Sequence, residues 1–226
     1  MPHPTAAAAP SDTAPRPAVP KKLVVGITGA SGAAYAQHLC TTIHHLGHEL
    51  HIVITDYGKR LLIDELGPTG PRLETLCSLE LEPGQQLDPR DAPHSHGIYL
   101  HPLNNVGATL GSGSFRHDGM AIVPCSSNTL GAIANGYGDH LLHRAAAVCL
   151  KERFPLVIAH REAPLNRVDL KNMLSLHDAG ATICPTNPGF YFLPESIDEI
   201  IAFMTARFLD CLGVEHRFKR WGDHES

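Results

Sequence analysis

Two short polar stretches of the chain have the residue types and placement of a ligand crevice. Gly26-Ile-Thr-Gly29-Ala30-Ser31-Gly32 follows an apolar run and opens a segment of helical periodicity. Glycines let the backbone approach a ligand closely, and the start of a helix presents N–H groups to an anion or an electron-rich ring edge. Pro124-Cys125-Ser126-Ser127-Asn128-Thr129 repeats the arrangement at the end of a second apolar run. Helix capping accounts for one of these hydroxyls, but not for four small polar residues in a row. Two such strand ends in an open α/β sheet line one crevice, where ligands bind.

A further polar set follows. Arg144 and Lys151 lie two helical turns apart and share a face. Arg161 and Glu162 end the run PLVIAH, Tyr191 lies in Pro188-Gly189-Phe190-Tyr191, and Arg207 lies on the last helix. Singly, each reads as a surface charge or a structural pair. Together, three arginines, a lysine and a tyrosine suit a phosphate-binding pocket. The glycine motif also fits extended short-chain dehydrogenases, which need a Tyr-x-x-x-Lys pair. None of Tyr35, Tyr57, Tyr99, Tyr137 and Tyr191 has lysine four positions on, which argues against that class.

The elements that must position these residues follow from periodicity. Lys22–Thr28, Glu49–Thr55, Met120–Cys125, Pro155–His160 and the short Ala181–Cys184 read as buried strands. Helices are predicted over Ala33–Leu46, Asp56–Leu66, about 127–135 and 139–152, Asp169–Ala179 and Glu195–Leu212. Strand, tight turn, helix and strand make βαβ units, so the fold class expected is α/β: a single Rossmann-like three-layer domain on a mostly parallel sheet. Residues 1–20 are rich in Pro and Ala and poor in large apolar side chains, and read as a disordered leader before one domain over 21–226. Residues 67–96 read as a long irregular segment.

Composition narrows the function classes. The chain has 226 residues, 18% of them charged, and a net charge of −5, which gives no electrostatic case for nucleic acid or an anionic membrane. No run approaches a membrane span, and a cytoplasmic protein is expected. The six cysteines are scattered without a CxxC pair, as buried thiols are in a reducing compartment. Sixteen histidines invite a metal reading, yet HExxH is absent and no Cys/His cluster has zinc spacing, so no metal site is expected.

GITGASGAAY, GSGSF, PCSSNTL, RAAAVCLKERFPLVIAHREAPL, NML, GATICPTNPGFY and a late RW together resemble the UbiX flavin prenyltransferases, from about Lys22 to Trp221. The resemblance implies an enzyme that binds reduced FMN and dimethylallyl monophosphate. It would join the dimethylallyl group to N5 and C6 of the flavin, without a metal, and deliver prenylated FMN to a UbiD-type decarboxylase. It also implies a homo-oligomer, of dodecamer size, with sites at subunit interfaces.

Carried over residue by residue, the resemblance assigns FMN to Gly29, Ala30, Ser31, Thr55, Ser126, Ser127, Asn128, Thr129 and Arg161. It assigns the allylic phosphate to Tyr191 and Arg207 with Arg144 and Lys151, and the prenyl pocket to Ser112 and Trp221. Glu65, Glu162 and Ser31 form the implied catalytic set, Glu65 near flavin N5 and Glu162 in proton transfer. Cationic donors and a tyrosine hydroxyl can stabilise departing phosphate in place of magnesium, and an indole face suits an allyl group with cationic character. The chain departs from the family pattern in 67–96 and at Gly138-Asp139-His140. Two rivals remain open. The FMN-dependent cysteine decarboxylases share a motif like PCSSNT, but their histidine is expected shortly before that strand, where GATLGSGSFRHDGM has a glycine-serine run, His117 lying too close to the strand and His101 too far back. A non-catalytic flavin carrier would need no second phosphate site.

Overall fold

The computed structural model describes residues 19–81 and 87–218. Six strands, β1 (Lys22–Ile27), β2 (Glu49–Ile54), β3 (Ile98–His101), β4 (Gly119–Cys125), β5 (Leu156–His160) and β6 (Thr182–Ile183), form one sheet in the order β3-β2-β1-β4-β5-β6. Every neighbouring pair is parallel. Helices cross over between strands: α1 (Ala33–His45), α2 (Asp56–Leu66), the short α3 (Leu73–Leu76) and α4 (Ala92–His96), α5 (Ser127–Ala134), α6 (Leu141–Glu152), α7 (Arg167–Asp178) and α8 (Ile197–Cys211).

A parallel sheet covered on both faces needs strands that are apolar throughout. Leu23, Val25 and Ile27 of β1 enter one core with α1, α2 and α8, while Val24 enters the other with α5, α6 and α7. Gly26 lies on that second side, where an added Cβ would sit 3.0 Å from Leu142. The α/β fold is therefore the three-layer one expected, with an entirely parallel sheet. The segment 67–96 departs from the expected irregular loop: α3 and α4 interrupt it, with Leu73, Leu76 and Ala92 anchored in the core of α1. Among the described residues, no helix is long and apolar enough to cross a membrane.

The chain builds outward from β1 to β2 and β3, then returns to place β4 on the other side of β1. The helices leaving β1 and β4 thus fall on opposite faces, and a crevice opens at the C-terminal ends of these two strands. Both motifs singled out in the sequence sit there.

Candidate active site

Thr28 stitches the two strand ends together. Its fully buried hydroxyl donates to the Pro124 carbonyl at 2.7 Å and accepts from the Ser126 N–H at 2.8 Å. The Gly29–Gly32 turn follows directly. A Cβ on Gly29 would lie 2.5 Å from Cβ of Tyr57, and Gly32 has a φ of 128°, which side-chain-bearing residues rarely adopt. A Cβ on Gly58 would meet the Ile27 carbonyl at 2.5 Å, so α2 can lie against the end of β1 only with glycine there. The Thr55 hydroxyl caps α2, accepting from Gly58 N–H at 3.0 Å.

Glu65, near the end of α2, reaches back to this turn. Its carboxylate accepts from Gly32 N–H at 3.0 Å and Ala33 N–H at 2.7 Å. A carboxylate there satisfies the first N–H groups of α1 and sits against the positive end of the helix. Two of the N–H groups that the glycine motif was expected to offer a ligand are thus held by Glu65. From β5, Arg161 spans the crevice and donates through Nε to the Ser31 carbonyl at 3.2 Å. Its neighbour Glu162 accepts from Ala163 N–H at 3.0 Å, with the Arg161 guanidinium 4.0 Å away.

At the start of α5 the four small polar residues divide their work. Ser126 caps the helix, accepting from Thr129 N–H at 3.3 Å and donating to the Thr129 hydroxyl at 3.2 Å. Ser127 bonds Nε2 of His160 at 3.1 Å, and burial pushes that imidazole below its ordinary pKa. Asn128 is exposed. Glu65 and Arg161 thus both bond the Gly29–Gly32 turn, with Glu162 beside Arg161. Gly29, Ser31, Glu65, Asn128 and Glu162 are exposed and Ser126 and Arg161 half-buried, while Ala30 and Thr129 are buried.

The second set does not come together within one chain. Ser112, Arg144 and Lys151 belong to the α6 side: a Cβ on Gly111 would lie 3.6 Å from Arg144 Nε, and Lys151 pairs with Glu152 at 2.9 Å. Lys151 lies just before β5 begins, at the N-terminal end of the parallel strands, whereas the Gly29–Gly32 turn follows the C-terminal end of β1. Tyr191 and Arg207 belong to the opposite layer. The Tyr191 ring packs edge-on to Phe203 of α8, and Arg207 pairs with Asp210 at 3.0 Å. Trp221 lies outside the described residues. His117, the histidine nearest the decarboxylase position, is buried against Phe154 with Nε2 3.7 Å from Cys149 Sγ, at the start of β4 rather than at the crevice.

Sequence reasoning missed Thr28, a polar residue ending an apolar strand, and Tyr57, whose contact with Gly29 no local pattern reveals. It also missed a cluster away from the crevice. Asp139, His140 and His143 each bring one ligand-type atom within 4.8 Å of the others. The signal is the spacing D-H-x-x-H at a helix start, which is neither HExxH nor a Cys/His zinc pattern.

A family profile described as Flavoprotein matches residues 11–209. Flavin prenyltransferase UbiX of Deinococcus radiodurans is 41% identical over 211 residues, covering 93% of this chain and 98% of its own. Among solved structures, AnUbiX (PadA1) in complex with FMN and dimethylallyl pyrophosphate superposes with a TM-score of 0.75 at 34% identity, over 90% of this chain and 100% of that one. A dodecameric FMN-dependent UbiX-like decarboxylase from Escherichia coli O157:H7 gives 0.74 at 37% identity, over 88% and 98%. The fold is that of a flavoprotein. Within that class, the chain belongs to the family of UbiX flavin prenyltransferases.

Proposed function

We propose that the protein is a flavin prenyltransferase, joining the dimethylallyl group of dimethylallyl monophosphate to N5 and C6 of reduced FMN. The observation that carries this reading is the crevice between β1 and β4, where Arg161 bridges to Ser31 and Glu65 sits at the same glycine turn. These residues fit a flavin mononucleotide: a turn kept free of side chains, exposed small polar groups at a helix start, and a guanidinium beside them. When bound, reduced flavin supplies the nucleophilic nitrogen and carbon. Ser31, Asn128 and Arg161 hold it, Ser126 and Ser127 shape the floor, and Thr55 fixes the α2 end against which the turn rests.

For the allyl donor, the C–O bond to phosphate breaks as N5 bonds the freed carbon and gives up its proton to Glu162 or the phosphate. That proton adds to the middle carbon of the allyl C=C bond, and C6 bonds the tertiary carbon so generated. Arg207, Tyr191, Arg144 and Lys151 stabilise the departing phosphate, and Glu162 or the phosphate takes the proton lost from C6. Ser112 and Trp221 line the prenyl pocket. Since the α6 and α8 residues lie on opposite layers of one chain, this reading requires a homo-oligomer, a dodecamer as in the Escherichia coli relative. The product passes to a UbiD-type decarboxylase in the cytoplasm.

The test is anaerobic incubation of the purified protein with reduced FMN and dimethylallyl monophosphate in the presence of chelator, followed by mass spectrometry of the released flavin. A gain of one five-carbon prenyl unit is expected. An unchanged flavin, with either the monophosphate or the diphosphate as donor, overturns the reading.

A further inference from the structure

The start of α6 carries a grouping that the crevice does not use. Asp139 Oδ1 lies 2.8 Å from His143 Nδ1 and 3.8 Å from His140 Nε2. The two imidazoles stack with centroids 3.7 Å apart and planes inclined at 28°. Their side chains are 7% and 16% exposed, whereas the carboxylate is 50% exposed. The result is a largely buried pair of imidazoles beside one half-exposed carboxylate.

Those separations bracket the distance of about 3.4 Å between neighbouring ligand atoms of a tetrahedral ion bound at about 2.1 Å. A carboxylate–histidine pair alone needs no second imidazole whose Nε2 approaches the same oxygen. We propose that Asp139, His140 and His143 form a three-ligand site for a zinc-class divalent cation, with the fourth position open to water. Two imidazoles and one carboxylate select borderline transition ions over magnesium or calcium. Binding replaces the proton shared between His143 and Asp139. Ligation through His140 Nε2 moves that ring's remaining proton to Nδ1, displacing the 3.4 Å cap contact from His143 N–H. The positive end of α6 opposes a cation, and the Asp139 charge offsets it. Arg144, the next residue, turns its guanidinium toward Gly111 and is exposed.

The ion would tie the segment before α6 to its first turn, on the helix that bears Arg144 and Lys151. It takes no part in the prenyl-transfer step.

The experiment uses the full-length, chelator-treated protein, dialysed against micromolar Zn2+ and assayed for bound metal and thermal midpoint. One zinc per chain and a raised midpoint are expected, with Mg2+ inert. His140→Asn keeps a good helix cap and should fold normally, yet lose zinc affinity by at least about tenfold together with the zinc-dependent rise. His143→Ala and Asp139→Asn should do the same, while His96→Ala, near His44 on another surface, should not. No zinc on the wild-type protein, an undiminished rise in His140→Asn, or an equal response to Mg2+ each overturns the proposal. Metal content and midpoint read the site without the prenyltransferase assay, so the functional reading stands or falls separately.

Discussion

Glu65 does two things at once at the Gly29–Gly32 turn. Its carboxylate closes the N-terminus of α1 through Gly32 and Ala33, and it places a negative charge at the mouth of the flavin crevice. Glutamine keeps an acceptor oxygen but not the charge. Glu65→Gln should therefore lower stability by about 0.5–1 kcal/mol, read from the denaturant midpoint, while abolishing prenyl transfer. FMN affinity by fluorescence titration should hold. A lost flavin would show that the residue binds rather than reacts. Residue types were the legible part of this site: a glycine turn, a Ser-Ser-Asn-Thr run and an arginine after a strand announce themselves locally. Partners were not, because they are made by topology. Nothing in the sequence says that Glu65 returns to Gly32, that Thr28 binds both Pro124 and Ser126, or that Arg144 and Arg207 face opposite layers.

At the level of elements, long apolar runs were readable and short mixed ones were not. β3 has only the four residues Ile98–His101, two of them polar-capable rings, too short and mixed a run to stand out as a strand. It holds the sheet edge through side chains. His51 Nε2 bonds Glu49 at 2.8 Å, its Nδ1 lies 2.9 Å from His101 Nε2, and Tyr99 stacks on the ring at 4.5 Å. Helix starts slipped for a related reason. α7 begins two residues before the expected Asp169 because Asn166 and Asp169 form a reciprocal capping box. The edge histidines carry a pH consequence. Burial, with His51 nearby, pulls His101 down to about 4, and burial also lowers His51 against the opposing pull of Glu49. The unfolded chain takes up these protons near pH 6.5 and the folded one only below that, so stability rises with pH across this interval. Urea unfolding from pH 7 to pH 4 should show a falling midpoint, and His101→Gln should flatten that fall. An unchanged slope would mean that the edge pair does not contribute.

On the scale of the whole molecule, a single copy leaves two matters unfinished. Val168, Leu170 and Leu174 of α7, and Phe190, Leu193 and Ile197 before and at the start of α8, expose apolar side chains that a partner surface could cover. The groups assigned to the allylic phosphate are also divided, Arg144 and Lys151 on the α6 layer, Tyr191 and Arg207 on the α8 layer. Rotating side chains cannot carry a lysine on the α6 face of the sheet to an arginine on the α8 face. On the proposed reading, association of copies would answer both, covering the apolar surface while bringing one chain's α6 to another's α8. The arrangement predicts intersubunit complementation. Lys151→Ala and Arg207→Ala should each be nearly inactive as pure assemblies. Co-expressed in equal amounts, with mixed composition verified by native mass spectrometry, they should recover about a quarter of wild-type activity, since a site needing one residue from each of two independently drawn subunits is intact that often. Recovery arises because some sites receive both intact residues. Were both residues drawn from the same chain, every site in the mixture would lack one of them, and verified mixed assemblies would stay as inactive as their parents.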